Sequence, residues 1–230
     1  MVQLHVLRVF VGHDGRFGNP LGVVLEGGSV PADDRQALAS HLGFSETVFV
    51  DDAARGEIRI FTPAAELPFA GHPTVGTAWL LAREREPVPA LHPPAGEVPV
   101  RYDGELTWTA GRPEWGPPFQ YIEVGSPADV DGLDGPPPGH GLAAVWAFED
   151  EAAGRVRSRV FLAELGIDED EATGSAAVGL AAQLGREIEI RQGRGSIIHA
   201  RPVDNGMVEV GGLVTLDEVR ESPFDPPIAG

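Results

Sequence analysis

The 230-residue chain contains no cysteine. Disulfides, thiolate metal sites and thiol nucleophiles are excluded together. Basic charge is scarce: 17 Lys and Arg residues stand against 35 Asp and Glu, for a formal net charge of −18. A phosphate backbone demands a basic face, so no nucleic-acid partner is expected. Anionic membrane leaflets would repel the same surface. No run approaches the ~20 apolar residues of a membrane-spanning helix. The opening MVQLHVLRVF alternates like a strand and has no apolar block with a cleavage site. The expectation is a cytoplasmic protein with no membrane partner.

What is present is ordinary in bulk and repetitive in pattern. Hydrophobic residues make up 42% of the chain, a level usual in globular proteins. The length fits one large domain or two small ones, able to bury roughly 70% of the unfolded surface. Residues 60–82, IFTPAAELPFAGHPTVGTAWLLA, read as a short apolar strand, a Pro-rich turn and a helix opening on Gly71-His72-Pro73. Pro73 suits the first helical turn, where its missing N–H is harmless. Gly71 lets the backbone approach a ligand, and the free N–H groups of a helix start carry partial positive charge.

The device recurs in EATGSAAVGLAAQL, residues 171–184. Setting Gly71 on Gly174 also matches Val75 with Val178, Gly76 with Gly179 and Ala78 with Ala181. Upstream, Arg59-Ile60-Phe61 matches Arg159-Val160-Phe161. Chance likeness of two Ala/Gly-rich helices is the plainer alternative, but the paired strand and turn favour a duplicated two-domain protein. Neither helix start carries the Walker or the dinucleotide glycine pattern, so neither is a phosphate loop of those types.

Residues 3–11 and 21–25 alternate as strands around a Gly/Asn/Asp/Pro-rich loop. A helix is expected from residue 31 to Gly43, then strands at 48–50 and 57–61, then the helix from Gly71 to about Glu84. A hairpin of 97–102 and 105–110 turns at Asp103-Gly104. GRPEWGPP (111–118) suits neither helix nor central strand. It places a boundary between domains of residues 1–112 and 113–230. In the second domain, 120–124, 143–148 and 155–161 read as strands and 129–141 as a surface loop. A turn through Asp170 leads to a helix over 173–185, followed by strands at 188–191, 196–203 and 207–214. The last strand is allowed to return to the first domain, and the tail ESPFDPPIAG is expected to fray. Short strands around one long helix per half make the fold class α+β.

Three side chains stand out. Glu46 opens a strand between Ser45 and Thr47, beside apolar Phe44, Val48 and Phe49. A carboxylate in such surroundings keeps its proton and suits acid/base work near neutral pH; an edge Glu in water is the alternative. The helix dipole should keep His72 neutral, able to donate and accept; a capping or core-satisfied His is the alternative. Asp170 lies in the run Asp168-Glu169-Asp170-Glu171 before the second helix, where carboxylates are common caps. The run is oxygen-rich but lacks the spaced ligands of a calcium loop, so no metal is expected. The starts at Gly71 and at Thr173-Gly174-Ser175 offer unpaired N–H groups to a substrate carboxylate.

At these residues the chain resembles the phenazine-biosynthesis isomerase-like (PhzF-like) family of the diaminopimelate-epimerase superfamily. The resemblance rests on VFVGHDGRFGNPLGVV (9–24), FSETVFV (44–50), RIFTPAAELPFAGHPTVG (59–76), RSRVFLAELGIDEDEATGSAAVG (157–179) and VEVGGLV (208–214). It implies two pseudo-two-fold-related domains, each a barrel-like mixed β-sheet around a central helix, with the active site in the cleft between them. It also implies a cofactor-independent isomerase acting by proton transfer, and a homodimer. The Glu of the family's SET motif is Glu46, the acid/base. The His of GHP and the Asp before ATGSA are His72 and Asp170, which assist and hold the substrate. Asn19, Ser45, Gly71, Thr173, Gly174 and Ser175 are implied around that substrate, a small carboxylate-bearing cyclic amino or hydroxy acid. The superfamily's epimerases use two thiols, which this chain cannot supply.

Two departures bear on the pocket. Glu171 stands where the family usually has Pro, a charge expected to raise the pKa of Asp170. QGRGSII (192–198) is shorter than the family's loop. A non-catalytic small-molecule-binding protein of the same fold, and a metal-dependent hydrolase using residues 168–171, are the rival readings.

Overall fold

The computed structural model describes residues 1–165 and 167–222, so residues 223–230 of the tail expected to fray lie outside it. The first half runs β1 (Val2–Val11), β2 (Asn19–Val24), α1 (Ala32–Leu42), β3 (Glu46–Asp52), β4 (Glu57–Phe61), β5 (Glu66–Leu67), α2 (Gly71–Glu84), β6 (Ala90–Leu91), β7 (Val98–Asp103) and β8 (Leu106–Gly111). The second runs β9 (Gln120–Glu123), α3 (Pro127–Asp131), β10 (Ala143–Asp150), β11 (Arg155–Leu162), β12 (Ile167–Asp170), α4 (Gly174–Leu184), β13 (Ile188–Gln192), β14 (Ser196–Pro202) and β15 (Val208–Ser222).

Local chemistry explains the ends of these elements. Asp33 and Asp34 sit in the first turn of α1, where negative charge is favourable. Gly43 closes that helix in the left-handed conformation, φ 71°, with its N–H on the Ala39 carbonyl. Helix α2 is buried along 71–78 and again at Leu80 and Leu81. Its small residues allow that depth, since a Cβ at Gly76 would lie 2.6 Å from Leu21 Cδ2 and 2.7 Å from Val9 Cγ2. Among the described residues, no helix is long and apolar enough to cross a membrane.

The pairing repeats. β2 runs parallel to β3, which is antiparallel to β4; β9 runs parallel to β10, which is antiparallel to β11. A helix joins the parallel pair each time, α1 and then α3. A short strand, β5 or β12, then leads to the central helix. After that helix the chain returns parallel to β4 as the bridge Glu57↔His92, and parallel to β11 as β13. The architecture is α+β, the same unit used twice.

β15 is the seam. Its first residues pair with both β14 and β8. From Leu213 to Ser222 it pairs antiparallel with β1, through bulges. Among the described residues, all fifteen strands thereby join one network.

Three local expectations are corrected. The strand expected at 207–214 continues to Ser222, because its outer residues face solvent while the backbone pairs with β1. The turn through Asp170 is strand β12, paired with β11 at Val160. The loop expected over 129–141 begins inside α3, where Ser126 caps the helix by accepting from the Asp129 N–H.

Candidate active site

Glu46 is the first residue of β3, in register with Leu21 of β2. His72 is the second residue of α2. These two elements bring the imidazole and carboxylate together, His72 Nε2 to Glu46 Oε2 at 3.4 Å, with side chains only 4% and 16% exposed. Both atoms are buried and neither makes a hydrogen bond. Buried polar atoms are normally paired, so two unpaired ones facing each other call for an explanation.

Asp170, at the end of β12, comes from the other half and is also buried. Thr173 Oγ1 donates to its Oδ2 at 2.6 Å and Asn19 Nδ2 to its Oδ1 at 2.8 Å. The Asn19 amide also donates to the Ala172 carbonyl at 2.9 Å, while its Oδ1 accepts from Ser45 Oγ at 3.2 Å. Glu46, His72, Asp170, Asn19, Ser45 and Thr173 therefore form one cluster drawn from both halves.

The remaining three expected residues line the helix starts. Neither α2 nor α4 has a side-chain cap, and both are preceded by extended residues, Ala70 and Thr173. Gly71 and Gly174 face each other so closely that a Cβ on Gly71 would lie 2.8 Å from the Gly174 Cα, and one on Gly174 2.9 Å from the Gly71 Cα. The close backbone approach read from Gly71 is thus made to the opposite helix. Ser175 stands at the edge, where a Cβ on Gly116 would meet its Cβ at 3.0 Å.

Burial sets the electrostatics. It pushes the Glu46 carboxyl up from 4.5 to about 7, opposed by Ser45. It pushes Asp170 up from 3.8 to about 6, with the Glu46 charge adding and His72, Thr173 and Asn19 opposing. It holds His72 down at about 4, against the pull of Asp170 and the Pro20 backbone. Desolvation, rather than the helix dipole invoked from sequence, is the main cause for the histidine. Near neutral pH the cluster holds a neutral imidazole, a largely ionised Asp170 and a Glu46 poised between its forms.

The acidic run does not act as a unit: Asp168 and Glu169 are exposed, while Asp170 is buried. Glu169 pairs with Arg159, whereas Asp170 turns inward. Glu171 turns to Arg194 and Ser196 instead of toward Asp170. The expectation that Glu171 raises the Asp170 pKa is corrected: burial and Glu46 do so. Among the described residues, no group of three or more His, Asp or Glu is placed to hold a metal.

Sequence reasoning missed Gln192. It is buried, and its Nε2 donates to the Asp170 carbonyl and to Thr173 Oγ1, both at 2.9 Å, while its Oε1 accepts from the Thr173 N–H at 3.2 Å. It shapes the 170–173 turn from β13. The only sequence signal was its place at the head of QGRGSII.

Comparison with known proteins identifies the family and the fold. A family model described as phenazine biosynthesis-like protein matches residues 9–131. Trans-2,3-dihydro-3-hydroxyanthranilate isomerase from Pseudomonas aeruginosa is 34% identical over 85% of this chain and 90% of its own. The enzyme of that name from Pseudomonas fluorescens is 34% identical over 77% and 78%. Among solved structures, a PhzC/PhzF protein from Clostridium difficile superposes with a TM-score of 0.79 at 20% identity, covering 97% of this chain and 100% of its own. A probable proline racemase from Agrobacterium radiobacter gives 0.66 at 14% identity, covering 99% and 94%.

Proposed function

The chain belongs to the phenazine biosynthesis-like protein family, and from that premise we propose an isomerase that moves a proton within a small carboxylate-bearing ring metabolite. Glu46 is the acid/base. As carboxylate it takes a proton from one ring carbon, and the C–H electron pair moves into the adjoining double-bond system. The protonated Glu46, whose acidic proton exchanges with solvent, delivers a proton to a second carbon, so atoms and charge balance. General acid/base help of this kind is worth on the order of 10²–10⁴-fold.

His72 and Asp170 hold the substrate in this reading, with Asn19 and Thr173 orienting Asp170. Neutral His72, whose Nδ1–H is turned to the Pro20 carbonyl, presents Nε2 as an acceptor toward Glu46 and the substrate. The uncapped starts at Gly71 and at Gly174-Ser175 receive the substrate carboxylate, and Ser45 lines the same mouth. Such clamping supplies orientation. Residues 1–112 and 113–230 are the two domains flanking the cleft, and the enzyme works as a homodimer using its own side chains alone. The names of the Pseudomonas relatives support a cyclic amino or hydroxy acid as substrate.

One observation carries the reading: the buried, unpaired Glu46 Oε2 and His72 Nε2 facing each other at 3.4 Å. The test is solvent-deuterium incorporation into a panel of cyclic amino and hydroxy acids, followed by mass. Wild type exchanges at least one, and Glu46→Gln slows that exchange by about 10²–10⁴-fold. No exchange by wild type, or undiminished exchange by the variant, overturns the proposal.

A further inference from the structure

The consecutive carboxylates Asp170 and Glu171 reach two consecutive residues of the other half by separate routes. Asp170 holds Asn19 directly, through the amide at 2.8 Å. Glu171 works through Ser196, whose hydroxyl donates to Glu171 Oε1 at 2.9 Å and accepts from the Gly18 N–H at 3.0 Å. The Arg194 N–H and Nε donate to the same carboxylate, each at 3.1 Å. Ser196 is wholly buried, and the Glu171 side chain is only 16% exposed.

The surface above this ring is closed by the same segments. Gly195 has φ 154°, and a Cβ there would come within 2.8 Å of the Phe17 ring. Arg16 and Arg194 place their guanidinium groups 5.0 and 5.9 Å from that ring's centroid. Phe17 itself takes a left-handed φ of 65°, a conformation that persists for a bulky side chain only when its surroundings fix it. The turn after β13 and the loop before β2 therefore lock across the cleft, and Glu171 anchors the lock.

We infer that Glu171 is a positioning residue: through Ser196 it fixes Gly18, and thereby the Asn19 amide that orients Asp170. This rests on the reading of Asp170 as part of the proposed site. A bare charge beside Asp170 would act in the opposite sense, which makes the two roles separable. Removing a neighbouring negative charge lowers a carboxyl pKa. Loosening Asn19 removes a hydrogen bond that favours the ionised form, and raises it. The other groups acting on Asp170 are Glu46, His72 and Thr173, and none of them is altered in the test.

The experiment compares Glu171→Ala, Ser196→Ala and Glu171→Gln with wild type, as free full-length protein. It reads hydrogen exchange of the Gly18 amide, carboxyl NMR titration of Asp170, and kcat and KM in the deuterium assay. Glu171→Ala and Ser196→Ala lose about tenfold or more of Gly18 protection, titrate Asp170 at higher pH, and raise KM more than they lower kcat, since Asp170 holds the substrate. Glu171→Gln keeps an acceptor for Ser196 and stays near wild type in all three. If Gly18 stays protected in both alanine variants, or Asp170 titrates lower without Glu171 and is unmoved by Ser196→Ala, the inference is overturned. Should Glu171→Ala not fold, Ser196→Ala, which changes no charge, decides alone. Gly18 exchange and Asp170 titration need no substrate. An inactive wild type with the expected shifts would overturn the reaction and support the positioning role, whereas an active enzyme without the shifts would do the reverse.

Discussion

The two halves share a frame and divide the chemistry. Thr47 faces Phe61 in the first half as Ala143 faces Phe161 in the second, so Glu46 and Leu142 are equivalent. Ile60 faces Leu67 as Val160 faces Asp170, so Asp170 answers to Leu67. Counting from Gly71 and Gly174, His72 answers to Ser175. Each ionisable group of the cluster thus has an apolar or neutral partner at the equivalent place. Duplication supplied two helix starts that meet head to head. Two of the ionisable groups then come from one half and one from the other, so the cluster exists only where both halves meet.

The largest effect comes from erasing that inequality. Glu46→Leu installs the second half's residue and should cost about 10²–10⁴-fold in deuterium exchange. Leu142→Gln, the matching change on the other side, should leave the exchange rate close to wild type where both variants are folded. In wild type the rate rises with pH toward about 7, as burial delays ionisation of the base. Equal losses from the two substitutions would mean that the chemistry is not confined to one member of the pair.

The next effect is on stability. With a folded pKa of about 7 against 4.5 when exposed, Glu46 adds stability that is complete below pH 4.5 and lost as pH rises to 7. The amount is on the order of 3 kcal/mol. Asp170 runs the same way, from 3.8 to about 6. His72, lowered to about 4, runs oppositely and gains stability as pH rises from 4 toward 6.5. The wild-type profile is therefore flattened, and only the difference from Glu46→Gln isolates the carboxyl. That difference in Tm should widen between pH 4.5 and 7 in favour of the variant, while Leu142→Gln shows no such pH dependence. A difference that stays constant across the window would show that Glu46 is solvated after all.

Much of the frame was legible because its signals are local. Gly43 as a helix stop, the alternation of β1 and the two Gly-led helix starts need no tertiary information. The second half of β15 was not legible, since TLDEVRES looks polar; it is a strand because β1 supplies its hydrogen bonds. Strand β12 hid in an acidic run that exposes Asp168 and Glu169 and buries Asp170, with an irregular register against β11 that no local pattern announces. Glu46, His72 and Asp170 were legible as a set, since each lies in a recognisable motif. Gln192 and Ser196 were not, because they act across a hairpin on a turn some twenty residues away and carry no local mark. The direction of Glu171 was lost for the same reason as β12.

The smallest effect tests whether the helix starts are mechanically one contact. Gly71→Ala drives a methyl to within 2.8 Å of the Gly174 Cα, and Gly174→Ala drives one to 2.9 Å from the Gly71 Cα. The obstacle is backbone in both cases, so the relief must be a separation of the two helix ends. Each variant should lose about 1–3 kcal/mol in urea unfolding. Because one separation relieves both clashes, the double variant should lose clearly less than the two losses combined. Gly76→Ala and Gly179→Ala are the matched control from the same repeat. A Cβ at Gly76 meets Leu21 and Val9, whereas one at Gly179 meets the Tyr121 hydroxyl. With no neighbour shared, their losses should add within about 0.5 kcal/mol. Additivity at Gly71 and Gly174 as well would mean that each helix end yields by itself, and that the two halves do not set each other's position at the cluster.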